Sequence, residues 1–223
     1  MAVTLTQEQL DSIRAVDSPT IANAIEPFNV RPYTEGYVGH DVRCLIPGMG
    51  TMLGYAVTAT ADSTTEWRRR PDSRVLELYH AIQASPKPCV VVIQDVGQDG
   101  QRSCHAGEVM ATTMKRLGSV GLITDGGLRD IVEVRALGDF HYFGAGLVVA
   151  HGRASIVDVG VDLTISGMAV RPGDLLHGDE NGIVHIPDEL AGKVVESAMR
   201  IREDEAERLD RLNRPDFELE PYR

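Results

Sequence analysis

The sequence is short of cysteine, lysine and basic charge, and each shortage closes a class of function. Three cysteines, Cys44, Cys89 and Cys104, odd in number and without CxxC spacing, provide neither a disulfide framework nor a structural zinc site. They read as reduced thiols. Only three lysines are present, Lys87, Lys115 and Lys193. None ends an apolar strand pattern, where a desolvated amine would support imine chemistry, so a Schiff-base mechanism is not expected. No segment has 18 uninterrupted apolar residues, and the first residues lack a basic patch followed by an apolar run. Membrane spanning and secretion are therefore not indicated, and the cytoplasm is the expected compartment. Lys plus Arg number 22 against 33 Asp plus Glu, a net charge of −11, which repels phosphate backbones and anionic lipid. No nucleic-acid or membrane partner is expected. The sequence also contains no GxGxxG, Walker A, GxSxG, HExxH or EF-hand signature. None of its seven histidines pairs with another at i, i+4, so each reads more readily as structural or solvated than as a metal ligand.

What is present is enough apolar mass for a core: 43% of 223 residues are hydrophobic. No low-complexity stretch or linker divides the chain, which reads as one domain over 1–223. Apolar Leu10, Ile13 and Val16 predict a helix over 6–16, and Asp17-Ser18-Pro19 caps a second over 19–26. Strands are expected at 50–61, 89–95 and 120–124, alternating with helices at 73–84, 107–117 and 129–137. Cys89–Asp95 is a continuous apolar run ending in an acid, as in a strand buried on both faces. Later strands are expected at 140–143, 146–150, 174–178 and 183–186, with turns at 171–174 and 178–182. Pro187 then opens a long C-terminal helix.

One constellation carries chemistry: Glu108, twenty intervening residues, then Arg129-Asp130. A helix of about 11 residues runs back ~16 Å, and a strand of about 5 residues returns ~16 Å. Glu108 and Arg129 therefore fall on the same sheet edge, each after a strand and at a helix start, where open α/β sheets bind ligands and free N–H groups attract anions. Gly126 and Gly127 permit tight turns beside a ligand. Arg129 can grip a carboxylate bidentately, and Glu108 with Asp130 can hold a divalent cation through oxygen and water. The bland alternative is a helix cap with a surface ion pair.

Gly107-Glu-Val-Met-Ala111, Gly118–Asp130 and Arg171–Pro187 resemble the RraA-like family, which includes the 4-hydroxy-4-methyl-2-oxoglutarate and 4-carboxy-4-hydroxy-2-oxoadipate aldolases; the likeness spans about 17–188. It implies an α/β fold, a compact sandwich resembling a swivelling phosphohistidine domain. It also implies a homotrimer or homohexamer with active sites between subunits, and a C-terminal segment over 189–223 that contacts a neighbour. The implied activity is a divalent-metal-dependent class II pyruvate aldolase acting on a small 2-keto acid, with oxaloacetate decarboxylation as a side reaction. Asp130 would hold Mg²⁺ or Mn²⁺, Arg129 would bind the pyruvyl oxygens, backbone amides over Gly107, Glu108, Val109 and Met110 would take the carboxylate, and Glu108 would orient a metal-bound water. The family's aldolases usually carry Asp at the position of Glu108, and Asn23 stands where many relatives have Asp. A ribonuclease-regulating, protein-binding role, or another metal-dependent lyase or decarboxylase on the same scaffold, are the alternatives. Trp67-Arg-Arg-Arg70 is read as a basic surface loop or subunit contact, or else as a receptor for a second substrate carboxylate. Glu196 or Glu203 would complete a neighbour's metal site, or else sit on a solvated face.

Overall fold

The computed structural model describes residues 5–64, 73–152 and 154–219. Two capped helices come first: α1 (Gln7–Arg14), closed by a reciprocal Thr6–Gln9 capping box, and α2 (Ser18–Ile25), whose first turn is capped by Asp17. Then follow β1 (Arg43–Cys44), β2 (Met52–Asp62), α3 (Val75–Ala84), β3 (Cys89–Asp95), β4 (Cys104–Ala106), α4 (Glu108–Arg116), β5 (Ser119–Thr124), β6 (Gly127–Leu128), α5 (Ile131–Ala136), β7 (His141–Gly144) and β8 (Gly146–Leu147). The chain continues through β9 (Ser155–Val159), β10 (Leu163–Ile165), β11 (Met168–Val170), β12 (Leu175–Asp179), β13 (Gly182–Ile186) and α6 (Val194–Leu212).

The main sheet runs β1-β7-β5-β3-β2-β12-β13, with β9 also pairing β2. Strands β2, β3, β5 and β7 are mutually parallel, because α3, α4 and α5 supply the crossovers, while β1, β9, β12 and β13 join antiparallel. The pleat of β3 shows why its sequence is apolar throughout. Cys89, Val91 and Ile93 pack with Leu78, Ile82, Ala111 and Met114 of α3 and α4, whereas Val90 and Val92 pack with Leu163, Ile165, Met168 and Val170 of the β10–β11 hairpin. That hairpin turns through Ser166 and Gly167, both at positive φ (47° and 83°), a tight turn matched to strand twist. A third cluster joins α1, α2 and α6 to Leu53, Tyr55, Leu175 and Ile186. The alternating strands and helices of the middle region are as the sequence predicts.

Three expectations need correction. The C-terminal helix begins at Val194, not at Pro187: residues 188–193 form successive turns anchored by buried Leu190 and Ala191, and Gly192 disfavours helix by about 1 kcal/mol. The strand expected over 146–150 is only Gly146–Leu147. The segment 155–170, given no strand from its sequence, forms β9, β10 and β11.

Two buried histidines make the fold acid-sensitive. His177 is fully enclosed, its Nε2–H donating to the Val16 carbonyl (3.0 Å) and its Nδ1 meeting Ser18 Oγ at 2.9 Å, which ties the α1–α2 junction to β12. Burial lowers the pKa of both His177 and His141, that of His141 to about 4 from 6.5. Each is neutral when folded but charges near 6.5 when unfolded, so stability is complete above about 6.5 and falls as pH drops toward 4. His141 alone contributes a loss of about 2 kcal/mol between pH 7 and pH 5. Urea midpoints measured at both pH values should show it, and a midpoint that does not move would refute it.

Candidate active site

The site forms at the carboxyl end of the parallel strands, where the chain leaves β3 and β5. A second, smaller sheet of β4, β6 and β8, all parallel, lies there and fixes the loops. Its pairing brings Gly107, just after β4, beside Arg129-Asp130, just after β6: the Arg129 amide donates to the Ala106 carbonyl at 3.2 Å. The Glu108 amide donates to Asp130 Oδ2 at 2.9 Å, and Arg129 Nε lies 3.5 Å from the same oxygen. The backbone amide of residue 108 and the side chains of 129–130 therefore meet on one edge. Asp130 is the N-cap residue of α5 at φ 60°, ψ 43°, a left-handed conformation that costs a non-glycine residue energy and that recurs at ligand sites.

Gly107 has a steric reason to be glycine. A Cβ there would come 2.3 Å from Asp130 Oδ2 and 2.9 Å from Arg129 Nε, so any larger residue would push those two side chains away. Arg129 Nε is buried and has no hydrogen-bond partner among the described residues, an unusual state for a guanidinium nitrogen. It borders a cleft of about 120 Å³ lined by Cys104, Gly107, Val109, Met110, Arg129, Asp130 and His151, among others. Burial raises the pKa of the Cys104 thiol, with Arg129 opposing, and that of the Tyr142 hydroxyl, which donates to the Gly107 carbonyl at 3.4 Å. Both groups are protonated at neutral pH.

Of the residues singled out from sequence, Gly107, Val109, Met110, Arg129 and Asp130 line the cleft. Glu108 opens α4 and contributes its amide, while its side chain is exposed and outside the lining. Glu196, paired with Arg200, and Glu203 lie on α6, away from this cleft, and Asn23 is exposed on α2. Trp67–Arg70 lies outside the described residues. Among the described residues, no three His, Cys, Asp or Glu side chains gather as a ligand set. The donor chemistry fits a divalent cation in one form, a single-carboxylate site: Asp130 Oδ2 is engaged by the Glu108 amide, which leaves Oδ1, with water and substrate oxygens as further ligands.

The sequence reading missed a buried network beneath the cleft. His105 Nε2 lies 2.6 Å from Asp95 Oδ2 and its Nδ1 lies 2.6 Å from Thr124 Oγ1. Burial opposes ionisation of Asp95, but hydrogen bonds from His105, the Gly97 amide and Ser63 hold its carboxyl below the usual range. With Asp95 ionised, Nε2 donates to it and Nδ1 shares a hydrogen bond with the Thr124 hydroxyl, while Thr124 Oγ1 accepts from the Gly126 amide at 3.1 Å. The imidazole lies flat on Gly126, where a Cβ would meet its ring at 2.4 Å. This network locks the turn that delivers Arg129 and Asp130. The only trace in the sequence is an acid at the end of β3 and a histidine ten residues on.

A family model described as RraA-like, Aldolase/RraA, matches residues 10–185. A protein of Halalkalibacterium halodurans that carries the provisional name 4-hydroxy-4-methyl-2-oxoglutarate aldolase is 32% identical over 127 residues, covering 56% of this chain and 59% of that protein. One of Laribacter hongkongensis with the same provisional name is 29% identical over 67% of this chain and 90% of its own length. The chain matches 20% of the length of protein DlpA of Legionella pneumophila at 28% identity, so it spans less than two thirds of several of the relatives it matches. Among solved structures, RraAS2 of Streptomyces coelicolor, described as an unusual member of the RNase ES inhibitor RraA family, superposes with a TM-score of 0.72 at 22% identity, over 93% of this chain and 98% of that one. A Pseudomonas syringae protein superposes equally well, with a TM-score of 0.72 at 23% identity over 95% of this chain and 91% of that one. These likenesses establish the shared fold.

Proposed function

The chain belongs to the RraA-like family, and from that premise we propose that it is a divalent-metal-dependent lyase, a class II pyruvate aldolase. It cleaves a small 4-hydroxy-2-oxo diacid to pyruvate and a keto acid, and decarboxylates oxaloacetate as a side reaction. The observation that carries this reading is Arg129 Nε, buried without a hydrogen bond and 3.5 Å from Asp130 Oδ2 at the mouth of the cleft. A buried N–H that makes no hydrogen bond is unfavourable, and a ligand oxygen that accepted from it would relieve that cost.

The chain's own groups divide the work. The Arg129 fork takes the oxygens of the 2-keto acid. The first helical bond of α4 runs from the Ala111 amide to the Gly107 carbonyl, so the amides of residues 108–110 have no partner within the helix. Glu108's amide is engaged by Asp130, which leaves those of Val109 and Met110 for the substrate carboxylate. Asp130 is the residue that would hold Mg²⁺ or Mn²⁺, which when bound supplies Lewis-acid polarisation of the C2 carbonyl. Arg129 stabilises the negative charge that develops on that oxygen as the carbon–carbon bond breaks.

The test couples pyruvate release from 4-hydroxy-4-methyl-2-oxoglutarate, and separately from oxaloacetate, to NADH oxidation, comparing Mg²⁺, Mn²⁺ and EDTA. Turnover with either metal and loss of at least about a hundredfold in EDTA are expected. Absence of metal-dependent turnover on both compounds would overturn the proposal. A second reading, a protein-binding regulator, draws on the net charge of −11, but such a role gives no reason for a buried guanidinium nitrogen facing a cleft.

A further inference from the structure

We propose that His151 is the acid–base residue of this cleft; the assignment rests on the aldolase reading and supplies the proton-transfer group that reading requires. Elimination among the lining side chains leads to it. Asp130 is committed to the Glu108 amide and the neighbouring guanidinium, and Cys104 is a buried thiol held in its protonated form. His105 also borders the cleft, but its ring is sealed, with a side-chain exposure of 1% and both nitrogens occupied by Asp95 and Thr124. The other lining side chains named above, Val109 and Met110, carry no titratable group, and Arg129 does not give up its proton. His151 is the exception. It is exposed, lines the same cleft as Arg129 and Asp130, and its Nδ1 lies 3.2 Å from the Gly152 carbonyl. Nδ1–H donation to that oxygen places the ring's lone pair on Nε2, the tautomer a general base needs.

The segment carrying His151 is fixed where it must be. The Val148 amide donates to the Leu128 carbonyl at 3.0 Å, just before Arg129. Gly152, at φ 62°, packs so closely on Ser103 that a Cβ would lie 2.7 Å from its hydroxyl. The histidine is thus held between two anchors to the strands that carry the site.

In the cleavage step, Nε2 takes the proton of the C4 hydroxyl. The oxygen's electron pair forms the carbonyl of the departing keto acid, the C3–C4 pair passes into the enolate of pyruvate, and the imidazolium returns a proton to C3. Substrate atoms and charge balance without a further reagent. Oxaloacetate decarboxylation reaches the same enolate with no hydroxyl proton to remove, so the two reactions depend on His151 to different degrees.

The experiment compares both reactions in wild type and His151→Ala. Cleavage of 4-hydroxy-4-methyl-2-oxoglutarate should fall at least about a hundredfold more than decarboxylation, and added imidazole should restore part of it. In the intact wild-type protein, pyruvate should also shift the ring ¹H–¹⁵N signals of His151. Equal losses in both reactions without imidazole rescue, or signals that pyruvate leaves in place, would overturn the assignment alone. Wild-type protein that turns over neither compound would overturn the aldolase reading and this assignment together.

Discussion

On the proposed aldolase reading, Arg129→Ala should lower kcat/KM for pyruvate release by about 10²–10³-fold, in cleavage and decarboxylation alike, because both would pass through the same enolate oxygen. The size of the effect follows from position. Arg129 Nε is buried beside Asp130 without a hydrogen bond of its own, so its interaction strengthens as charge develops on the substrate. Lysine should not restore the rate, since an ammonium cannot present two parallel N–H groups to a carboxylate and its neighbouring oxygen. The backbone role of residue 129, its amide on the Ala106 carbonyl, survives either substitution, and circular dichroism should be unchanged. A variant that keeps more than about a tenth of wild-type kcat/KM would remove the guanidinium from the mechanism.

Asp130 allows a sharper comparison, because two substitutions separate its charge from its structural work. Asparagine tolerates the left-handed backbone of this position and can still accept the Glu108 amide, yet it is neutral. Asp130→Asn should therefore fold as the wild type does and lose at least about a hundredfold in metal-supported turnover, the scale of several kcal/mol of charge stabilisation. Calorimetric titration with Mn²⁺ should show the binding weakened in parallel. Asp130→Ala loses the charge, the acceptor and conformational tolerance together, and should be destabilised by about 1–2 kcal/mol as well. If the asparagine variant retained full metal-supported activity, the carboxylate would have no part in holding the cation.

The arginine–aspartate arm of this site was legible because spacing places it. One helix and one strand between Glu108 and Arg129 return the chain to the edge it left, and the structure brings the Glu108 amide and Asp130 within 2.9 Å. Spacing could not show which part of residue 108 matters. The amide is engaged while the side chain is exposed, a distinction set by the direction of the Cβ at a helix start. Strands β4 and β6 were invisible, and β8 was expected too long, for a different reason: at two or three residues each, none is long enough to display an alternating pattern. Their existence depends on pairing with one another, and they are what seats Gly107 against Arg129. The same holds for Asp95, His105 and Thr124, each unremarkable alone in sequence and joined only because β3, β4 and β5 end together.

Composition and pattern determined by themselves that this is a mixed α/β chain with a buried parallel sheet. They also placed one guanidinium and its adjacent carboxylate at the carboxyl edge of that sheet. These follow from local periodicity and chain length, which any window of the sequence contains. Only the tertiary structure decided that Arg129 Nε is buried without a hydrogen bond, that His105 is sealed and that His151 is open to the same cleft. Burial and exposure are properties of what packs around a residue, and the neighbours that decide them here lie tens of residues away along the chain.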